Sequence, residues 1–340
     1  MHLRVILLSF LKLTALVIST PTLSQEGFSD LETILDMELQ EEAEKNTDVL
    51  KNPMDYIELK RKRLADNMVT LSNTLDNILG GESADKESRN NSRIRITFGQ
   101  LYEEYETPSE IFDLSAQIAL PNTEKKFHLL LESFNQTNKE GSTTAVSNSS
   151  KLQGTPEERQ YNAGLRFTPT SNKETHIGFD TGIRLVWPPQ PFAKTRARHR
   201  IPLRDDFFLK LVQDVAWYNE EGWETHTQGA FEKALSRGKL FSFSNDLFWK
   251  DTQDYSEMTH TVSLFHPLST EKYLTYWAGT LSELSRGLFI QTYEIGISFR
   301  QLIYKDWIYF QISPLGRWQR IHNFSFRSLL EAKFEFIIAE

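Results

Sequence analysis

Apolar and polar residues alternate with a period of two through most of the chain after Asn91, and clusters of Pro, Gly, Asn, Asp and Ser break the alternation at short intervals. Successive side chains of an extended strand point to opposite faces, so this pattern predicts strands with one apolar and one polar side. The segments it marks are residues 93–102, 111–120, 126–134, 160–169, 174–187, 191–201, 206–219, 223–235, 239–250, 257–266, 271–283, 288–302, 306–318 and 328–338, fourteen in all. In the second, Leu114, Ala116, Ile118 and Leu120 oppose Asp113, Ser115 and Gln117. In the fifth, Ile177, Phe179, Ile183, Leu185 and Trp187 oppose His176, Asp180 and Arg184. The sixth has the least regular pattern, with Ala193, Thr195, Ala197 and Ile201 against Lys194, Arg196, Arg198 and Arg200.

The first ninety residues follow a different rhythm. His2 and Arg4 precede an apolar stretch from Val5 to Ile18 and a small-residue exit at Thr22-Leu23-Ser24, the layout of a secretory signal peptide over residues 1–24. Ser29-Asp30-Leu31-Glu32 is a capping box that opens one helix. A second opens at Asn52-Pro53 and closes at Gly80-Gly81, with an apolar stripe of Met54, Ile57, Leu64, Met68, Leu71, Leu75 and Ile78. Residues 25–91 are therefore expected to form an acidic helical segment and linker, packed on itself or on the strands that begin at residue 92.

Alternation alone fits a soluble sandwich as well as a membrane barrel, because either buries one face of each strand. Strand length separates them. Most segments reach the nine to eleven residues, roughly, that a tilted strand needs to cross a bilayer. Trp187, Tyr218, Trp223, Trp249, Trp307 and Trp318 fall near strand ends, where interfacial girdles sit. An even strand count also places the connections at 121–123, 170–173, 202–205, 236–239, 267–271 and 304–306, all short, at the periplasmic end and the one long polar loop, residues 135–159, at the other. The expected fold is all-β, an antiparallel transmembrane β-barrel of about fourteen strands over residues 92–340, with an N-terminal helical extension on the periplasmic side.

The last strand carries Leu330, Ala332, Phe334, Phe336 and Ile338 on one face and Glu331, Lys333 and Glu335 on the other. It resembles the C-terminal strand of Gram-negative outer-membrane β-barrel proteins, though four residues follow the last aromatic one. The resemblance implies an outer-membrane location, contact with outer-membrane lipid, and recognition by the barrel-assembly machinery through Phe334 and Phe336.

Charge refines this reading. Of the formal net charge of −8, the segment from Gln25 to Asn91 accounts for all, with 16 acids against 8 bases, and Glu26 to Glu44 holds eight acids and no Lys or Arg. Nucleic acid is excluded as a partner of that segment by repulsion from phosphate. The chain has no cysteine, which removes disulfides, thiol nucleophiles and a lipid-anchored N-terminus. The strongest local feature is the basic row Lys194, Arg196, Arg198 and Arg200, with Arg184 on the neighbouring strand. Facing water inside a barrel, it sets a positive field that favours anions. The competing expectation is that Asp180, Asp214, Glu224 and Glu232 neutralise it within the lumen. A third is that the acidic run docks on it as a plug.

Enzyme readings are weak. His260 and Ser263 are three residues apart and point to opposite sides, and His128, His176 and His226 lie on separated strands, so neither a hydrolytic pair nor a metal site is expected. No phosphate-binding loop or nucleotide fingerprint is present, and no cofactor is expected. The expected function is a channel for small polar or anionic solutes restricted by the N-terminal helices. The alternative is a non-conducting barrel that holds a periplasmic protein partner through residues 29–80.

Overall fold

The computed structural model describes residues 58–59, 61–66, 92–120, 126–134, 160–172, 174–204 and 206–339. The signal segment, the first helix, most of the second, the linker and the long loop at 135–159 lie outside the described residues. The chain divides into a unit ending at Arg63 and one that starts at Leu64. In the first, residues 58–59 and 61–63 are helical, and Arg61 pairs with Glu58 one turn earlier at 2.8 Å.

The second unit contains fourteen strands: β1 (Arg93–Glu103), β2 (Ser109–Ala119), β3 (Phe127–Phe134), β4 (Gln160–Ser171), β5 (Thr175–Arg184), β6 (Gln190–Pro202), β7 (Phe207–Tyr218), β8 (Gly222–Ala234), β9 (Leu240–Lys250), β10 (Ser256–Pro267), β11 (Lys272–Leu284), β12 (Leu288–Tyr304), β13 (Ile308–Gln319) and β14 (Phe326–Ala339). Each pairs antiparallel with its sequence neighbours, and β1 pairs β14 from Arg93↔Ala339 to Glu103↔Leu329, which closes the barrel. The start of β1 and the end of β14, paired at Arg93↔Ala339, lie at one rim, the terminal rim, and the connections after the odd-numbered strands lie at the other, the loop rim.

The period-two pattern sorts side chains to two sides of a closed wall. On β7, Lys210, Val212, Asp214, Ala216 and Tyr218 are buried, whereas the interleaved Phe207 and Leu211 are 36% and 42% exposed. On β12, Ile295 and Ile297 are exposed while Glu294 and Ser298 are buried. The exposed side is apolar and the enclosed side polar. A closed sheet with no free edge, apolar outside and polar inside, is how strands satisfy their backbone in lipid, and it makes this chain a membrane-spanning β-barrel. No helix among the described residues is long and apolar enough to cross a membrane.

Two prolines mark where the ladder yields, since proline has no N–H to donate. The β4–β5 register shifts between Phe167 and Thr170, across Pro169. The β12–β13 ladder is interrupted opposite Pro314, and the hydroxyls of Ser298 and Ser313 bond across the gap at 2.8 Å.

Two expectations at strand ends are corrected. The fifth strand stops at Arg184 rather than Trp187, because Pro188 and Pro189 end the pairing, and Trp187 stands 85% exposed in the loop. Tyr218 belongs to the enclosed side, 1% exposed, because it keeps the parity of Asp214 and Ala216. Trp223 and Trp249 do face outward at the loop rim, as does Trp318, whose ring packs on Phe326 with centroids 5.3 Å apart. Trp307 lies in the β12–β13 turn at the terminal rim, against Tyr304 and Phe336.

Candidate functional site

The lumen wall is the candidate site, and register decides who stands beside whom in it. Arg184 on β5 and Lys194, Arg196, Arg198 and Arg200 on β6 all point inward, as their pairing with inward-facing partners requires. Across β4–β7 the enclosed side carries seven bases, Arg166, Arg184, Lys194, Arg196, Arg198, Arg200 and Lys210, against two acids, Asp180 and Asp214.

Part of this row is neutralised by neighbours. Arg196 makes a bidentate pair with Asp214, Nε to Oδ1 at 2.8 Å and a terminal nitrogen to Oδ2 at 3.0 Å. The Asp214 carboxylate also lies 3.6 Å from His226 Nδ1, and His226 Nε2 is 2.8 Å from Asp246, to which Gln228 donates at 2.9 Å. A row of polar neighbours thus runs from β6 to β9, hydrogen-bonded at both ends and joined at 3.6 Å between Asp214 and His226. Arg200 approaches Glu232 at 3.6 Å. Asp180 pairs with Arg166 on β4, again bidentate at 2.7 and 2.8 Å, and Glu224 is 3.5 Å from Lys250 on β9. All four expected lumen acids face inward, but only Asp214 and Glu232 pair with the β6 row.

Arg184 is fully buried near the loop rim. Its guanidinium lies 3.7 Å from the centroid of the Tyr218 ring and donates to Glu221, while Gln190 donates to Glu220 at 2.7 Å. The β7–β8 turn therefore folds two carboxylates onto β5 and β6. Lys194 and Arg198 form no ion pair among the described residues.

The opposite wall is balanced. Arg317 donates to Glu294 and Glu103, Glu335 receives Arg300 at 2.8 Å and Arg95 at 3.1 Å, and Lys333 lies 2.9 Å from Glu331. Between the two charged walls, β9–β11 present a neutral strip of small hydroxyls, Ser242, Ser244, Thr261, Ser263 and Thr275, all buried. Trp277 stands beside this strip, and its indole fits because the facing residue is Gly296, where a Cβ would fall 2.7 Å from the ring. The strip was available in the sequence as serine and threonine at every second position of 242–244 and 259–263.

Phe334 and Phe336 face outward. Phe98 of β1 stacks on both at 5.4 Å between centroids, and Phe310 packs on Phe334 at 5.1 Å, so these rings bind the closing seam. His128, His176 and His226 all face the lumen, and no group of three or more metal-binding side chains occurs among the described residues. His260 faces outward and Ser263 inward, as their spacing requires.

No protein-family model and no curated protein matches the chain. Among solved structures it is similar to a loop L8 deletion mutant of OmpT, an outer membrane protein of Vibrio cholerae, at 6% identity over 73% of this chain and 98% of that one, TM-score 0.45. It is also similar to the NanC porin, at 9% identity over 52% and 93%, TM-score 0.36, and to the KdgM porin, at 4% over 71% and 98%, TM-score 0.33. At this degree of similarity no substrate or activity follows from the likeness.

Proposed function

We propose that the barrel conducts small polar solutes with a preference for anions, and that the helical segment before residue 92 restricts entry from the periplasmic side. The observation that carries the reading is the excess of bases on the lumen face of β4–β7, with Lys194 and Arg198 outside any ion pair among the described residues. A like-signed row beside a narrow water path raises the local concentration of counter-ions and lowers the barrier to their passage. The division of labour follows from the pairing. Arg184 and Arg196, held by Glu221 and Asp214, shape the wall, while Lys194 and Arg198 offer transient contacts to a passing anion.

A non-conducting barrel that holds a periplasmic partner is the second reading, and one observation favours it. Ser244, Thr261 and Thr275 face the lumen yet are each only 1% exposed, as expected where the interior is filled. Planar-bilayer recording on the full chain and on a variant lacking residues 25–90 separates the two. Anion-selective current that rises on deletion supports the channel. Absence of current in both forms, with a periplasmic protein co-purifying only with the full chain, supports the anchor.

A further inference from the structure

The outward face of β7–β11 carries polar groups where lipid tails offer no partner. Gln213 on β7, Thr227 on β8, Asn245 on β9, His260 on β10 and Thr280 on β11 all point away from the lumen and are laterally or diagonally adjacent. They lie deep within their strands. His260 is four residues from the loop-rim end of β10 and seven from the other, about 13 Å and about 23 Å along the strand at roughly 3.3 Å per residue.

Neighbours satisfy part of this row. Thr227 donates to Gln213 Oε1 at 2.8 Å, and Gln213 Nε2 donates to the Asp214 carbonyl at 3.2 Å. His260 Nδ1 bonds Asn245 Oδ1, which leaves the far ring nitrogen of His260 as an acceptor and the Asn245 amide as a donor, both facing outward. The opposite amide orientation exchanges these roles and still leaves one donor and one acceptor. Nothing among the described residues takes either, and hydrocarbon cannot. Beside them, Gly229 pairs with Asn245, and Ala278 lies outward next to Thr280, so a second surface can approach closely.

We propose that this row is a contact surface for a second copy of this chain, in a two-fold dimer where the Asn245 amide of one barrel meets the His260 ring of the other. A donor and an acceptor on adjacent strands are self-complementary under a two-fold axis, which a surface with a single type of group is not. An unrelated partner would need a matching pair of its own. A copy of this chain already has it.

The chain has no cysteine, so one introduced at a chosen outward position reports contact without background. Val262→Cys, beside His260 on the outward face of β10 and leaving both contact residues in place, and as reference Leu330→Cys on the outward face of β14, are treated in intact outer membranes with a short bis-maleimide. The expected result is a covalent dimer with Val262→Cys and none with Leu330→Cys. The double variant Asn245→Leu, His260→Leu, purified in mild detergent, is expected to lose the dimer by native mass spectrometry while keeping the heat-dependent gel shift of a folded barrel. No dimer at position 262, equal dimer at both positions, or a dimer that survives in the double variant would overturn the proposal. Should the double variant fail to fold, the two cysteine variants decide between these outcomes alone.

Discussion

Asp214 is the residue on which the lumen network turns, because the Arg196 guanidinium bonds both its carboxylate oxygens and His226 stands 3.6 Å from it on the next strand. Charge-assisted bonds such as those of Arg196 contribute about 1.5–3 kcal/mol each. Asp214→Ala is therefore expected to lower barrel stability by roughly that amount, read as the urea midpoint of tryptophan fluorescence in lipid vesicles. Arg198→Ala, which removes no ion pair among the described residues, is expected to leave the midpoint unchanged. Glu104, in the β1–β2 turn outside the strands, behaves as a pH-dependent clasp on the seam. Its carboxylate accepts the Ser328 amide at 3.2 Å and the Ser328 hydroxyl at 3.0 Å, and these bonds, the amide foremost, with one from Tyr105, hold it below the usual carboxylate range. A depressed folded-state value stabilises the fold above the ordinary carboxylate value and loses that contribution as pH falls through the depressed one. The stability difference between wild type and Glu104→Ala should accordingly be present at neutral pH and vanish in strong acid, as a pH series of the same urea midpoints would show.

At the scale of elements, the tightest point is the facing pair Gly164 and Gly182 on β4 and β5. A Cβ at Gly182 would stand 2.1 Å from the Ala163 carbonyl oxygen, so the backbones must part to admit any side chain. Gly182→Val is expected to weaken this pairing by about 1–3 kcal/mol, seen as a smaller heat-modifiable fraction in gels. All fourteen strands were legible in the sequence, even the irregular β6, because closure demands alternation on every strand and an even count. Strand ends were less legible. Trp187 continues the apolar parity of β5 by spacing, yet the prolines behind it end the strand, and Tyr218 was read by its proximity to a strand end rather than by its parity. That lumen acids would meet the basic row was legible; which acid pairs with which base was not. Arg166 with Asp180 and Arg196 with Asp214 are separated by 14 and 18 residues and meet through the register of adjacent strands, whereas Arg184 meets Glu221, 37 residues on, through the β7–β8 turn folding back over β5. The row of bases could be read from β6 alone. Which of them remain available could not.

For the whole molecule, that difference in availability is the test of the conduction reading. A unit charge 4 Å from a passing ion is worth about 1 kcal/mol in bulk water and about 4 kcal/mol at the effective dielectric near a protein surface. Reversing an available lumen charge therefore changes ion preference by at least about tenfold. Arg198→Glu is expected to move the reversal potential in a salt gradient from the anion side toward the cation side, with the barrel's stability nearly intact. Arg196→Glu sets a carboxylate against Asp214, about 3 Å from where the guanidinium nitrogens now bond, and is expected to change selectivity and destabilise the wall together. If both variants shift the reversal potential equally and neither is destabilised, the Arg196–Asp214 pair does not lock the wall. If neither shifts it, ions do not pass β6, and the excess of bases on β4–β7 serves the packing of the barrel rather than the traffic through it.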